Sequence, residues 1–344
     1  MKKRITALLL CLLMMFSAAA CGTASEGGEA PSGRTITDGA GQELVIPENG
    51  GEEKIASVYG TAVPFIVAAG VADQVVAVNC KSNFWKKAVE PLDAAGTVGR
   101  GVVDLEALAA SGATVLIHRS NDSKTVEAVS KLGIQTLCIT AEDMDGIYST
   151  LRLIGEYFGK TDRAQEVIDW MNAKFDAIDE LVATVPEEER PTALVLGGET
   201  GRVAGGDMIQ TWMIEKAGGI PVAAEVENDA NWITVGVETV FGWNPEYLFC
   251  TSSASLDYTV DELMEDDAWS AMQCVTDDHI AVIPSKLDTW DMPGIAVVPG
   301  TFWMLHQMYP ELLGAEALQA EIDEYYRFMF GKTFEADYLG YEIA

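Results

Sequence analysis

The sequence has little positive charge and few histidines. Its 344 residues contain 22 lysines and arginines against 53 aspartates and glutamates, for a formal net charge of −31, and three histidines. So acidic a surface repels nucleic acid and anionic membranes, and we expect neither as a direct partner. Three histidines are also too few for a site that holds zinc or manganese through several imidazoles. We therefore expect no bound metal ion.

The signatures of common catalytic sites are missing as well. There is no GxSxG, no HExxH and no cysteine–histidine pair placed by a known motif. The glycine-rich run at 197–206 lacks the Lys-Ser/Thr of a P-loop, and its glycine spacing differs from that of a dinucleotide fingerprint. We expect no catalytic residues and no cofactor, and we regard a bilobal metal-handling enzyme as the less favoured alternative.

The first 20 residues have the composition of an export signal. Three basic residues precede an apolar run at 5–16, and four small residues lead to Cys21. This arrangement resembles a bacterial lipobox, which would make Cys21 the lipidated N-terminus, followed by a flexible tether over residues 21–33. Loss of residues 1–20 would remove three basic and no acidic side chains, taking the formal net charge from −31 to −34. We predict an exported protein at the outer face of the cytoplasmic membrane, attached only through its lipid.

The remaining cysteines show no metal-binding spacing. They are Cys80, Cys138, Cys250 and Cys274, and no two of them form a CxxC pair. Cys138 and Cys250 lie in apolar runs typical of strands, which predicts buried free thiols. An exported location would permit a disulfide, but the sequence assigns none.

Residues 161–185 form the longest periodic stretch of the chain. Apolar residues recur there every three or four positions from Ala164 to Val185, Thr161 suits an N-cap, and Pro186 suits a stop. About 24 residues at about 1.5 Å each span roughly 36 Å, enough to contact two separate bodies. Periodicity alone also allows an ordinary long helix on one large domain.

Short apolar runs alternate with helical segments on both sides of that stretch, after a hairpin at 34–47. Such alternation predicts parallel sheets covered by helices. The fold prediction is therefore α/β, with two Rossmann-like lobes at 34–160 and 186–344 joined by one connecting helix at 161–185. The predicted strands are 55–59, 75–79, 114–118, 136–140, 192–197, 221–224, 247–251 and 279–283; the predicted helices are 62–69, 105–110, 124–132, 144–158, 208–217, 237–242, 259–264, 301–308 and 315–330.

Each half repeats a glutamate at the start of a short helix that leads into a buried strand. Glu106 lies nine residues before the strand that begins at Val115, and Glu238 lies nine residues before the strand that begins at Tyr247. A single glutamate in a first helical turn is favoured by the helix dipole alone. Two at equivalent places predict a pair of acidic contacts, one per lobe, on the same side of the molecule.

Together these features resemble the class III solute-binding proteins of ABC importers, the group that binds ferric siderophores, haem and vitamin B12. The resemblance covers about residues 34–332 and includes a Thr-Asp-Gly-Ala-Gly-Gln hairpin at 37–42 and the segments 217–219, 244–246, 309–311 and 325–331. It implies that Glu106 and Glu238 dock on arginines of the permease. It also implies a monomer that delivers a metal-chelate nutrient to a permease dimer with its ATPase.

Ligands of open α/β sheets lie beyond the carboxyl ends of the strands. Applied to both lobes, this rule selects aromatic residues that can pack on a bulky organic ligand and basic residues that suit carboxylates or phosphates. Siderophore, corrinoid and haem fit these loops, and a molybdate- or tungstate-type oxyanion is the alternative ligand. The predicted ligand-binding residues are Tyr59, Trp85, Arg100, His118, Arg119, Arg202, Trp232 and Trp290.

Overall fold

Two separate sheets organise the chain, as the sequence pattern predicts. The computed structural model describes residues 33–48, 52–226, 232–284 and 288–335. The predicted signal sequence, Cys21 and most of the tether lie outside these residues. We call the part built around the first sheet lobe one and the part built around the second lobe two.

Lobe one begins with a small hairpin and continues as a parallel α/β unit. Its strands run in the order β5-β4-β3-β6-β7, and every pairing in that sheet is parallel. Its elements are β1 (Thr35–Thr37), β2 (Glu43–Val45), β3 (Ile55–Ser57), α1 (Ala62–Ala68), β4 (Val75–Val78), α2 (Asn83–Ala88), α3 (Glu90–Asp93), β5 (Gly96–Thr97), α4 (Leu105–Ser111), β6 (Val115–Arg119), α5 (Ser123–Ser130), β7 (Gln135–Ile139) and α6 (Met144–Tyr157).

A long helix, α7 (Thr161–Val182), connects lobe one to lobe two. It packs on α1 and α6 of lobe one and on the helices α8 (Ile209–Lys216) and α12 (Val297–Met308) of lobe two. The prediction of 161–185 was too long by three residues, because the backbone N–H groups of Thr184 and Val185 bond to the carbonyl three residues back, in a turn, rather than four. Thr161 is also the first helical residue rather than the N-cap. The helix core nevertheless contacts both lobes along its length.

Lobe two has a mixed sheet in the order β11-β9-β8-β12-β13, with β10 paired to β8 on the side. The strands β8, β10, β12 and β13 are parallel, whereas β9 runs antiparallel to β8 and β11. Its elements besides α8 and α12 are β8 (Thr192–Leu196), β9 (Arg202–Val203), β10 (Ile220–Pro221), β11 (Ile233–Thr234), α9 (Val237–Trp243), β12 (Tyr247–Cys250), α10 (Val260–Glu265), α11 (Gln273–Thr276), β13 (Ile280–Val282) and α13 (Ala315–Phe330).

The largest hydrophobic core runs through both lobes. It includes Ile55 and Val115 of sheet one, Val167 and Phe175 of α7, and Val195 of sheet two. The inner parallel strands β6 and β8 are buried along nearly all of their length, which explains their apolar runs. The four described cysteines are free, and Cys138 and Cys250 are buried as predicted. Burial raises the pKa of both thiols to about 12, so neither is reactive at neutral pH.

Candidate ligand-binding cleft

Two adjoining cavities lie between the lobes. The first has a volume of about 310 Å³ and runs from Asn79 and Trp85 of lobe one to the 288–296 segment of lobe two. The second, of about 220 Å³, is lined by Tyr59 and Glu142 of lobe one and by residues of lobe two that include Gln210, Trp232 and Ser253. Their lining residues follow β3, β4, β7 and β12, so the cleft lies at the carboxyl ends of the strands, where ligands of α/β sheets bind.

The segment from Asp288 to Pro293 crosses the cleft and separates the two cavities. Met292 and Pro293 line both of them. The hydroxyl of Thr61 in lobe one lies 3.4 Å from the Met292 Sδ atom. Lobe two therefore reaches lobe one through this segment, which we call the cleft bridge.

One end of the cleft bridge is held by a buried carboxyl group. The hydroxyls of Tyr325 and Tyr326 on α13 donate to Asp288 over 2.6 and 2.8 Å. The Trp290 indole N–H donates to the Tyr326 hydroxyl over 2.9 Å. Burial raises the pKa of Asp288, and the tyrosine hydroxyls oppose that rise. This network fastens the bridge to the last described helix.

A second buried carboxyl group holds the other side of the bridge. Asp291 accepts hydrogen bonds from Thr251 and Ser252, which follow β12. Burial raises its pKa as well. The side-chain amide of Gln210 donates to the Asp291 carbonyl over 2.7 Å. The other polar atom of this side chain, the buried Gln210 Oε1, has no hydrogen-bond partner among the described residues.

The lobe-one wall is ordered by hydrogen bonds at the ends of its strands. The buried Ser57 hydroxyl donates to the carbonyl of Ile117 over 2.8 Å, and the Tyr59 backbone N–H donates to the Ser57 hydroxyl over 3.2 Å. The Asn79 amide donates to the Val58 carbonyl over 2.8 Å. Burial is the main cause that raises the pKa of Tyr59, so its phenol is neutral and can donate to a ligand.

His118 lies behind this wall rather than in it. It is 2% exposed, and its Nε2 atom lies 3.1 Å from an Asp122 carboxylate oxygen. Burial outweighs the nearby carboxylate and lowers the pKa of His118, so the ring is neutral at pH 7. The neutral ring then donates from Nε2, and Nδ1 has no partner among the described residues. Its edge-to-face contact with Tyr59, at 6.5 Å between ring centres, supports the cleft wall.

The predicted ligand-binding residues divide into two groups. Tyr59, Trp85 and Trp232 line the cavities, although Trp85 belongs to α2 rather than to a loop. Trp290, by contrast, is 1% exposed within the core. The remaining four predicted residues, His118, Arg100, Arg119 and Arg202, stand outside the lining of both cavities.

The three arginines occupy different surroundings. Arg100 is exposed in the turn after β5, and Arg202 lies on β9 opposite Thr234. Arg119 ends β6 and lies 3.5 Å from Asp122. Strand-end position alone selected these arginines, and it does not reveal whether a side chain faces the cleft or the outer surface.

Sequence reasoning missed Gln210 and Met292 as cleft residues. Gln210 lies in the first turns of α8, and Met292 lies two residues beyond the tryptophan that drew attention to the loop. The glycine-rich run also has a packing explanation. A Cβ atom at Gly197 would lie 2.9 Å from the Trp232 ring, so the missing side chain makes room for the indole.

The two repeated glutamates each occupy the first turn of a helix, as the pattern predicts. Glu106 is in α4, whose N-cap Asp104 accepts from the backbone N–H groups of Glu106 and Ala107. Glu238 is in α9, which begins after Gly236 at a φ of 84°. Both helices start on the carboxyl side of their sheets, where the cleft lies.

The charges around the cleft favour a neutral or cationic ligand group. Its lining contains Lys81 as a basic residue, and Glu142 and Asp288 as acidic ones. Within the described residues, no group of three or more histidine, cysteine, aspartate or glutamate side chains is arranged to hold a metal ion. Nor does any helix of the described ranges have the length and apolar character to cross a membrane.

Comparisons with known proteins agree with this architecture. A curated relative, the uncharacterized ABC transporter substrate-binding lipoprotein YvrC of Bacillus subtilis (strain 168), is 23% identical over 327 residues, which cover 90% of this chain and 99% of YvrC. A periplasmic solute binding protein from Veillonella parvula DSM 2008 has a TM-score of 0.73 at 18% identity, covering 89% of this chain and 95% of that one. The molybdate-bound MolA of Haemophilus influenzae has a TM-score of 0.73 at 19% identity, covering 88% and 99%.

These structural neighbours have the two-lobe class III fold, in which two α/β units flank a ligand cleft. The family model described as "Periplasmic binding protein" matches residues 55–287, which are more than half of the chain. The match begins at β3, the first strand of the five-stranded sheet in chain order, and ends just before the cleft bridge. The chain therefore belongs to the periplasmic binding protein family.

Proposed function

We propose that this protein is the substrate-binding lipoprotein of an ABC importer and that it captures a metal-chelate nutrient. A ferric siderophore, a corrinoid or a haem would bind in the cleft between the lobes. The observation that carries this proposal is the cleft itself, with aromatic side chains from both lobes beside few, mostly acidic, charges. Such a site favours a bulky organic ligand over a small anion.

The unpartnered Gln210 Oε1 atom supports an organic ligand. A buried acceptor without a partner costs about 1–3 kcal/mol, and a ligand N–H or O–H donor would recover part of that free energy. Amide and hydroxyl groups of a chelate supply such donors, whereas a fully deprotonated oxyanion supplies none. Tyr59 and Ser253 add hydroxyl groups to the same cavity.

Delivery would use the two glutamates at the helix starts. Glu106 and Glu238 lie in different lobes, so a permease that binds both can sense how the lobes are arranged. Each exposed ion pair would contribute only about 0–1 kcal/mol, which orients docking more than it drives it. Lipidation of Cys21 would hold the monomer near the permease dimer and its ATPase.

An oxyanion is the second candidate ligand. MolA, which binds molybdate in its crystal structure, has the same fold at a TM-score of 0.73. The cleft argues against this ligand, because Lys81 is the basic side chain of its described lining and stands beside the carboxyl groups of Glu142 and Asp288, so a dianion would find little positive charge there. Catalysis is not part of the proposal, because the described residues of the cleft lining suit binding.

Fluorescence titration against one ferric siderophore, one corrinoid, haem and molybdate tests the proposal. We expect saturable, stoichiometric binding of a chelate without turnover, and no response to molybdate. Glu106→Ala combined with Glu238→Ala should abolish cellular uptake and leave ligand affinity unchanged. Binding of molybdate alone, or steady conversion of a bound compound, would contradict the proposed function.

A further inference from the structure

The lobe-two wall of the first cavity contains backbone donors that have no acceptor. Gly294, Ile295 and Ala296 line this cavity, and the 12-residue helix α12 starts directly after them. The backbone N–H groups of these three residues make no hydrogen bond within the described part of the chain. N–H groups at the start of a helix point out of its N-terminal end and carry a partial positive charge. The start of α12 therefore directs free donors at the cavity.

The lobe-one wall of the same cavity contains a buried hydroxyl group without a partner. Ser82 is 6% exposed, lines the cavity and is the N-cap of α2, yet its side chain makes no capping hydrogen bond. No other group of the described residues bonds to this hydroxyl. Most buried polar side chains have at least one hydrogen-bond partner. An unpartnered hydroxyl in a cavity wall therefore indicates a ligand that completes its hydrogen bonding.

The acidic charge of the cleft is not spread evenly over its two cavities. Glu142 lines the second cavity and is outside the lining of the first. Asp288 lines the first, but both of its carboxyl oxygens accept from tyrosine hydroxyls of α13. Lys81 also lines the first cavity, is exposed, and forms no ion pair with a described carboxylate. The donors that remain available in the first cavity therefore favour a ligand oxygen with negative charge.

We propose that the start of α12, Lys81 and Ser82 together bind one anionic oxygen group of the ligand, a carboxylate or a phosphate. Trp85 and Pro64 in the same cavity contact the organic body of that ligand. This inference rests on the proposed function and narrows the ligand to a chelate that carries an acid group.

The energetics suit an acid group on a bulky molecule better than a free anion. Backbone N–H groups at a helix start bind an anionic oxygen without a full opposing charge, and one lysine adds a charge-assisted hydrogen bond. A small inorganic dianion has no organic body, so the apolar part of the lining contributes nothing to its affinity.

Fluorescence titration of the full chain with matched probes tests this site. Each probe pair has the same chelating core and differs in its acid groups. The pairs are haem against its dimethyl ester, cobalamin against cobinamide, which lacks the phosphodiester, and ferrichrome A, which has three carboxylates, against ferrichrome. In the pair that binds, we expect the acid-bearing member to have a Kd lower by about tenfold. The responding pair identifies the group as a carboxylate or a phosphate.

Two substitutions assign that preference to the proposed residues. Lys81→Met and Ser82→Ala should each raise the Kd of the acid-bearing probe by about threefold or more and leave the Kd of its neutral partner unchanged. Lys87→Met is the matched control, because Lys87 is an exposed lysine of α2 outside the lining of the first cavity. It should change neither Kd.

The outcomes separate this inference from the proposed function. Equal Kd values within a binding pair would refute the acid-group site and leave the proposed function standing. The same holds for an acid preference that persists in both variants, or for variants that raise both Kd values alike. The absence of saturable binding by all six probes would refute both.

Discussion

Replacing Asp288 with alanine would remove the acceptor that holds the cleft bridge to α13. Two hydroxyl groups, from Tyr325 and Tyr326, donate to this carboxyl group at 2.6 and 2.8 Å, and all three residues are buried. The bridge places Met292 against Thr61 across the cleft. The substitution should therefore lower both global stability and ligand affinity.

The magnitude follows from the two hydroxyls left without their acceptor. Each buried, unsatisfied hydroxyl costs about 1–3 kcal/mol, and removal of a desolvated carboxyl group returns part of that cost. We expect Asp288→Ala to lower the free energy of unfolding by about 3 kcal/mol. That loss leaves a protein of ordinary stability folded, since domains have about 5–15 kcal/mol.

A double-mutant cycle provides the assay. Unfolding in urea would be measured for Asp288→Ala, for Tyr325→Phe combined with Tyr326→Phe, and for the triple variant. If the hydrogen bonds cause the effect, Asp288→Ala in the phenylalanine background should be close to neutral or stabilising, because the buried carboxyl group there has lost its two tyrosine donors. Additive losses of stability would refute this explanation.

The same carboxyl group gives a pH dependence with a definite sign. Burial raises the pKa of Asp288 in the folded state above its ordinary value of 3.8. The folded state therefore holds the proton to higher pH than the unfolded state. Its stabilising contribution is complete below pH 3.8 and is lost as the pH rises through the folded-state pKa. Asp288→Asn should remove this part of the pH profile, and an unchanged profile would contradict the assignment.

Three further predictions concern other parts of the structure. Asp122 accepts a hydrogen bond from a backbone N–H group at the start of α5 and pairs with a neutral histidine, and that pairing is the main cause that lowers its pKa. Stability should therefore fall as the pH drops below 3.8. Asp122→Asn should weaken this loss of stability in acid and should lower the free energy of unfolding in urea at pH 7 by about 1 kcal/mol. Lys174→Met removes the ammonium group whose Nζ atom lies 2.7 Å from carboxylate oxygens of two glutamates on α13. The substitution should lower the free energy of unfolding by about 2 kcal/mol, measured in the same way. An unchanged unfolding midpoint would show that solvent screens these ion pairs fully. Ligand addition should change tryptophan fluorescence through Trp85 and Trp232, so replacing both with phenylalanine should remove the response; a response that persists would show that another of the eight tryptophans reports binding.

Much of the fold could be predicted from hydrophobic pattern alone. Runs such as 115–117 and 193–196 are apolar throughout because these parallel strands are covered on both faces, and α7 shows a clear stripe because one face packs on both lobes. Elements of two residues, such as β9 and β11, carry no readable period, and α12 begins at Val297, four residues before the predicted start. Burial of that helix on nearly all sides removes the contrast that marks its boundary.

The site was harder to predict than the fold, for a physical reason. Tyr59 of lobe one and Trp232 of lobe two line the same cavity, and the rule for strand ends selects both. The same rule selects Trp290, yet its side chain is buried in the core, because Asp288 and Asp291 near it are held by hydrogen bonds from buried hydroxyl groups. Only partners far along the chain, such as Tyr326 on α13, decide which way the loop turns.

The contacts at the back and front of the cleft differ in strength, and this difference constrains how a ligand can enter. At the back, α7 has no glycine or proline between Thr161 and Val182, packs into a core shared by both lobes, and is tied to lobe two by Lys174 and Lys216. Bending that helix would require a break in its hydrogen bonds or in the shared core. At the front, the described contacts are smaller: the weak hydroxyl–sulfur approach of Thr61 and Met292, and the stacking of the Trp85 ring of lobe one on Phe330 of α13. Opening by separation of these front contacts, with α7 moving as a rigid body, therefore costs least.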